Sequence, residues 1–141
     1  DVNGPIELGL EKKKFTRVSI FMNIFNCHVN RSPLAAEIND IFYKPGKFLN
    51  ASLDKASEEN ERNYFKLIDT KKNEEIVVVQ IAGLIARRIV TQVSKKQTVD
   101  QGQRLGMIRF GSRVDIYFSN RKIMVKKGQN VIAGESLIAS S

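Results

Sequence analysis

The chain has 141 residues, 42% hydrophobic and 27% charged, which suits one folded globular domain and excludes a disordered polymer. The 23 lysines and arginines against 15 acidic residues leave a formal charge of +8, which favours anionic partners such as nucleic acid or an acidic lipid surface. A single cysteine, Cys27, excludes an internal disulfide, and no apolar run reaches the roughly 18 residues that a spanning helix needs.

Asp1-Val-Asn-Gly-Pro5 is turn chemistry, and a chain starting there without methionine reads as one entered partway. Arg17 to Asn26 is a predicted strand. Val18, Ile20, Met22 and Ile24 share one face, and Phe21 and Phe25 share the other with Ser19 and Asn23. With both faces partly apolar, the strand is expected to be central. Asn26-Cys-His-Val-Asn-Arg-Ser-Pro33 follows, and then a second run, Leu34 to Tyr43, which ends at the turn Lys44-Pro-Gly-Lys47. Residues 50–63 are polar without glycine or proline, as in a loop with a short helical turn. Tyr64–Asp69 and Glu75–Ile81 are predicted strands around the polar turn Thr70–Asn73, the latter rich in valine and isoleucine. Ala82 to Val90 fits helix and strand equally.

The last third contains a repeat. Val99, Gly102 and Leu105 recur as Val131, Gly134 and Leu137, each copy behind a Lys-Lys pair. A strand, a tight turn and a strand in that pattern are typical of barrel-sandwich or hammerhead domains, including lipoyl and biotinyl domains. Between the copies, Leu105 to Phe110 leads into Gly111-Ser112. Val114, Ile116 and Phe118 then alternate with Arg113, Asp115 and Tyr117, so the spacing predicts a β-hairpin with a type II′ turn. Short strands and few helical patterns give an all-β fold class with minor α content, as one domain over residues 1–141.

Lysine pairs and triplets (Lys12–Lys14, Lys71-Lys72, Lys95-Lys96, Lys126-Lys127) flank strand-like runs, where solvated turn lysines are the ordinary explanation. No aromatic stacking surface or helix-turn-helix pattern accompanies them, which weighs the charge toward lipid and away from nucleic acid. His28 is the only histidine. It has no second histidine or additional cysteine with which to build a zinc site, so no metal is expected. Adjacent strand residues point to opposite faces, which sets aside a Cys27-His28 dyad. An acid/base role with a pKa in the useful range remains for it. Ser112 is one of many serines and, on spacing alone, a turn hydroxyl.

Arg109-Phe-Gly-Ser-Arg-Val-Asp115 resembles the self-cleavage segment of the phosphatidylserine decarboxylases, in particular their short bacterial and archaeal branch. Phe25–Pro33, Lys44–Ser52, Asp54–Arg62 and Val79–Gly83 with Ala86-Arg-Arg88 match that family in the same order, so the resemblance covers nearly the whole chain from about Glu7. It implies a proenzyme in which the Ser112 hydroxyl attacks the carbonyl of Gly111 and the chain splits between them. Gly111 suits this because, without a side chain, it leaves its carbonyl open to approach. Position 112 would become a pyruvoyl cofactor that forms a Schiff base with phosphatidylserine and releases carbon dioxide, leaving phosphatidylethanolamine. His28 is the implied base and proton donor.

Many long-branch relatives carry a second histidine where this chain has Arg31. Either one imidazole serves both processing and turnover, or Arg31 takes an electrostatic part. The resemblance further implies an upstream segment with an Asp-Gly motif, so the chain is expected to be N-terminally truncated; Asp1 does not match that motif. The expected partners are phosphatidylserine in an anionic membrane, at its cytoplasmic face, and the two cleavage fragments, which stay associated. A homo-oligomer is compatible with these features, and no nucleic acid is expected. The rival reading rests on Asp54-Lys-Ala56, which resembles the hairpin of lipoyl carriers and would make Lys55 a cofactor attachment site in a non-catalytic module.

Overall fold

A computed structural model describes residues 2–21, 29–32, 34–51, 55–71, 74–83, 89–101, 103–108, 112–119, 122–123 and 139–140. In chain order these form β1 (Val2–Asn3), a 3-10 turn at Ile6–Leu8, β2 (Lys14–Phe21), β3 (Val29–Arg31) and β4 (Ala36–Lys44). The one-turn helix α1 (Ala56–Glu59) follows, then β5 (Arg62–Asp69), β6 (Glu75–Ile81), β7 (Ile89–Thr91) and β8 (Thr98–Val99). The remaining strands are β9 (Arg104–Ile108), β10 (Arg113–Phe118), β11 (Lys122–Ile123) and β12 (Ala139–Ser140). The molecule is all-β, as expected, with the helical turn inside the polar stretch 50–63.

Seven strands make an antiparallel sheet in the order β1-β2-β10-β6-β5-β4-β8, and β3-β9-β7 make a second sheet; β11 and β12 pair separately. The β5–β6 hairpin follows the sequence closely. The Asp69 amide donates to the Glu74 carbonyl at 2.9 Å, and the Asp69 carboxylate accepts the Lys71 amide at 2.8 Å, an aspartate-stabilised turn. Between β4 and β5 the chain returns through residues 45–61. There the Lys47 amide donates to the Glu59 carbonyl at 2.8 Å, and the Lys47 carbonyl accepts the Glu61 amide at 2.9 Å. Gly46 is required at that approach, because a Cβ there would run into the Glu59 carbonyl.

Alternation along the central strands feeds two cores, one on each face of the large sheet. Phe65 and Leu67 of β5, Ile76 and Val78 of β6, and Val114 and Phe118 of β10 enter the first core, which Leu105 of β9 closes from the small sheet. Tyr64, Val77, Val79, Ile81 and Tyr117 enter the second, covered by Leu10 and by Ala56 of α1. Phe15 joins it edge-on to Tyr117, with ring centroids 6.2 Å apart.

The hairpin expected about Gly111-Ser112 is not formed. β9 pairs with β3 and β7, whereas β10 pairs with β2 and β6. The local signal was outweighed by long-range pairing, since Leu105 reaches the first core from one sheet while Val114 and Phe118 reach it from the other. Gly111, with residues 109–110, lies outside the described residues, and Ser112 is where the chain enters the large sheet. The first repeat copy behaves as its spacing predicts. Val99 ends β8, the Gln103 amide closes a turn onto the Asp100 carbonyl at 3.0 Å, and Leu105 lies in β9. Gly102 and the copy at 131–137 lie outside the described residues.

Phe65 is fully buried at the centre of the first core. Phe65→Ala should therefore cost about 3–5 kcal/mol in urea unfolding, and a loss below about 1 kcal/mol would contradict that placement.

Candidate active site at the start of strand β10

Ser112 directly precedes β10 and is 1% exposed. The first ladder residue, Arg113, stands between Phe21 of β2 and Ile81 of β6, and Ile81 in turn stands beside Arg62 of β5. At this end of the sheet both cores turn from apolar to polar.

On the second-core face, Arg113 and Asp115 are buried and form a two-pronged ion pair. Nε donates to Oδ1 at 2.8 Å and Nη2 to Oδ2 at 2.9 Å, while Nη1 reaches the Ala51 carbonyl at 3.3 Å. On the same face the Arg62 guanidinium donates to the Tyr64 hydroxyl at 2.5 Å, the Asn60 carbonyl at 2.7 Å and Glu7 Oε2 at 2.9 Å. Burial raises the Tyr64 pKa, and the Arg62 guanidinium only partly offsets it, so its phenol stays protonated. Burial also pushes the Glu7 carboxyl up. A backbone hydrogen bond at Glu7 and side-chain bonds from Arg62 and Tyr64 outweigh it and hold the carboxyl below its ordinary value. Arg62 stays charged, because Tyr64 and Glu7 outweigh the burial that would favour its neutral form.

On the first-core face, Gln80 and Asn63 are both fully enclosed. The Asn63 amide donates to Gln80 Oε1 at 3.3 Å and to Thr91 Oγ1 of β7 at 3.0 Å, which joins the two sheets by a polar contact. Asn60 fixes the connection that covers this end. Its side chain accepts from the Leu49 amide at 3.0 Å and donates to the Leu49 and Ala82 carbonyls at 2.8 and 2.7 Å. A cleft of about 600 Å³ opens on the second-core face between residues 2–7 and Arg17, Lys44, Arg62 and Tyr117, without Ser112 in its wall.

Of the residues singled out from sequence, His28, Cys27 and Gly111 lie outside the described residues. Arg31 ends β3, which runs antiparallel to β9 with Val29 opposite Met107. In sequence His28 directly precedes Val29 of β3, and Ser112 comes after Ile108, the last residue of β9. Lys55 is exposed and opens α1, a helical turn and not the hairpin tip that a carrier lysine needs. Of the lysine clusters, Lys12, Lys13, Lys71, Lys95 and Lys96 are exposed in turns or bends. Lys13 pairs with Glu75 and Lys95 with Asp40 at 3.0 Å. Among the described residues no group of three or more histidine, cysteine or acidic side chains could hold a metal.

The polar network was missed as such. Gln80, Arg113 and Asp115 stand in the sequence as members of family-like motifs, and Arg113 and Asp115 also as the polar half of an alternation, with no sign that they are buried and paired. The usable signal was a polar residue at an inward position of a strand flanked by apolar strands on both sides.

The model of the phosphatidylserine decarboxylase family matches residues 4–139. The chain belongs to the phosphatidylserine decarboxylase family. A phosphatidylserine decarboxylase proenzyme of Pelagibacter ubique is 66% identical over 139 residues, which cover 99% of this chain and 64% of that protein. One from Nitrobacter winogradskyi is 56% identical over 136 residues, covering 96% of this chain and 55% of its own. The chain thus spans less than two thirds of the length of either curated relative. No solved structure gives a significant match. The decarboxylase motifs quoted from the sequence now have positions: Asp54–Arg62 carries Asn60 and Arg62 to the polar end of the sheet, and Val79–Gly83 carries Gln80 there.

Because the native Glu7 pKa is depressed, its stabilising contribution is complete above the ordinary value of 4.5 and is lost as pH falls through the lowered native value. Glu7→Gln should lower Tm at neutral pH and shrink the further fall in Tm between about pH 5 and about pH 3. Parallel Tm curves for the two proteins would contradict the assignment.

Proposed function

We propose that this chain is the catalytic domain of a pyruvoyl-dependent phosphatidylserine decarboxylase proenzyme, cleaved between Gly111 and Ser112. The observation that carries the reading is the setting of Ser112. In a chain of this family, it is a buried serine at the passage from one sheet to another, at the end of the molecule where polar side chains replace the core. On its downstream side the chain is held at once, because Arg113 is paired with both β2 and β6. Such anchoring next to the serine is part of the preorganisation that an attack on the adjacent carbonyl requires.

The chemistry follows from the residue types. The Ser112 hydroxyl gives up its proton to a base and bonds to the Gly111 carbonyl carbon. The carbon–nitrogen bond breaks, and the freed amine takes a proton, which turns the amide into an ester. Removal of the α-proton at position 112 then expels the Gly111 carboxylate. Water replaces the nitrogen of the resulting unsaturated residue, and ammonia leaves. His28 is the base we assign, since no other imidazole exists in the chain and it directly precedes β3 in the motif that resembles the family's histidine segment. A pyruvoyl group at position 112 would supply a ketone that takes up the substrate amine and accepts the electron pair released with carbon dioxide. His28 would return the proton to the substrate carbon. Phosphatidylserine is the substrate, phosphatidylethanolamine the product, and the charge of +8 favours a peripheral position on an anionic cytoplasmic membrane face. The two fragments would stay together because β10 is held between β2 and β6, and β9 between β3 and β7.

Ser112→Ala in the full-length protein should give an uncleaved chain without decarboxylase activity, read by denaturing electrophoresis and release of labelled carbon dioxide. Activity in that variant would end the proposal. His28→Ala should reduce processing or turnover by roughly a hundredfold or more, and an unchanged rate would remove it from the site.

A further inference from the structure

We propose that Arg113 and Asp115 form a clamp that positions residue 112, both for the splitting of the chain and afterwards for turnover. The inference rests on the reading of Ser112 above. Residue 113 is the first that the large sheet holds by its ladders, paired with Phe21 and Ile81; one residue upstream the chain leaves the sheet. Whatever fixes the torsions of Arg113 therefore sets the direction in which Ser112 leaves it.

The side chain of Arg113 has little choice of direction. Both of its forked bonds end on Asp115, two residues on along the same face of β10, and its third nitrogen ends on the Ala51 carbonyl. Through Ala51 the clamp reaches the connection that Asn60 ties to Ala82 at the end of β6. The start of β10 is thus held by two ladders and by a side chain anchored at both its own strand and the covering loop.

Filling space does not account for the pair. Arg113 is 3% exposed and Asp115 fully buried, and their neighbours on that face, Ile81, Ala56 and Tyr117, belong to an apolar core. A buried ion pair loses the hydration of both charges, and apolar residues of similar volume are often as stable or more so. What the fork supplies and an apolar pair does not is a fixed angle. Because the two charges offset each other, the clamp acts by geometry through the backbone. It is a positioning pair, whose effect on residue 112 runs through the backbone of Arg113.

The test uses the full-length protein with Arg113→Met and Asp115→Leu combined, a substitution expected to keep the fold and a Tm close to the parent. Processing should slow by roughly tenfold to a hundredfold, as misplacement of reacting groups does. In material that has been processed, kcat should fall while KM is retained. A folded double variant that splits and turns over at the parent rates would overturn the clamp. If the double variant does not fold, Arg113→Lys decides, because it keeps the charge but lacks the fork; it should show the same slowing, and parent rates would again overturn the proposal. A parent chain that is not cut after Gly111 would defeat the reading of Ser112 instead, whereas a parent and clamp variants cut equally fast defeat only the clamp.

Discussion

The strand that begins one residue after the Gly-Ser pair is enclosed on every side, and the rest of the structure depends on that enclosure. β10 has β2 along one edge and β6 along the other, the first core on one face and the second on the other. A strand so placed cannot shift register without moving Val114 and Phe118 out of one core and Tyr117 out of the other. Its first residue is consequently one of the best-determined points of the backbone. The cleavage proposed for the neighbouring Gly111–Ser112 bond would need such a point beside it.

At the same end of the sheet the interior becomes polar. Arg62 with Glu7 and Tyr64, Asn63 with Gln80 and Thr91, and Arg113 with Asp115 occupy positions that the neighbouring rows give to valine, leucine and phenylalanine. Buried polar groups of this kind are costly when unpaired and directional when paired. A concentration of them at one end, each with named partners, marks the region where orientation matters more than stability. Arg62 also draws the N-terminal segment onto the sheet through Glu7, so the covering elements at this end are held by directed bonds.

Much of the fold was legible in the sequence because its signals were local. The valine-rich run Glu75–Ile81, the turn after Asp69 and the polar stretch around α1 each contain their own evidence. The alternation of β10 was also read correctly, as Val114, Ile116 and Phe118 do share one face. Its partner was not, because the Gly-Ser signal is two residues long, whereas the pairing of β9 with β3 is decided far along the chain by which core Leu105 completes. For the same reason the proposed site is legible only as a serine beside a glycine and illegible as a network. Nothing in the order Arg-Val-Asp says that both charges will be buried; that follows only once β2 and β6 flank the strand and the connection through Ala51 lies over that face. The clue lay in motifs such as Asp54–Arg62, whose Asn60 and Arg62 have no use in a solvated loop and several in a covered one.

The central claim is that the chain is cut between Gly111 and Ser112 and that the serine becomes a ketone, and the mass of the natural full-length polypeptide under denaturing conditions tests it most directly. The account predicts two chains, the first ending at Gly111. The second begins at position 112, lacks an amino group and is lighter than the corresponding serine-terminated chain by one ammonia. A single unbroken chain, or a second fragment that still begins with an intact serine, in a preparation that converts phosphatidylserine to phosphatidylethanolamine would contradict it.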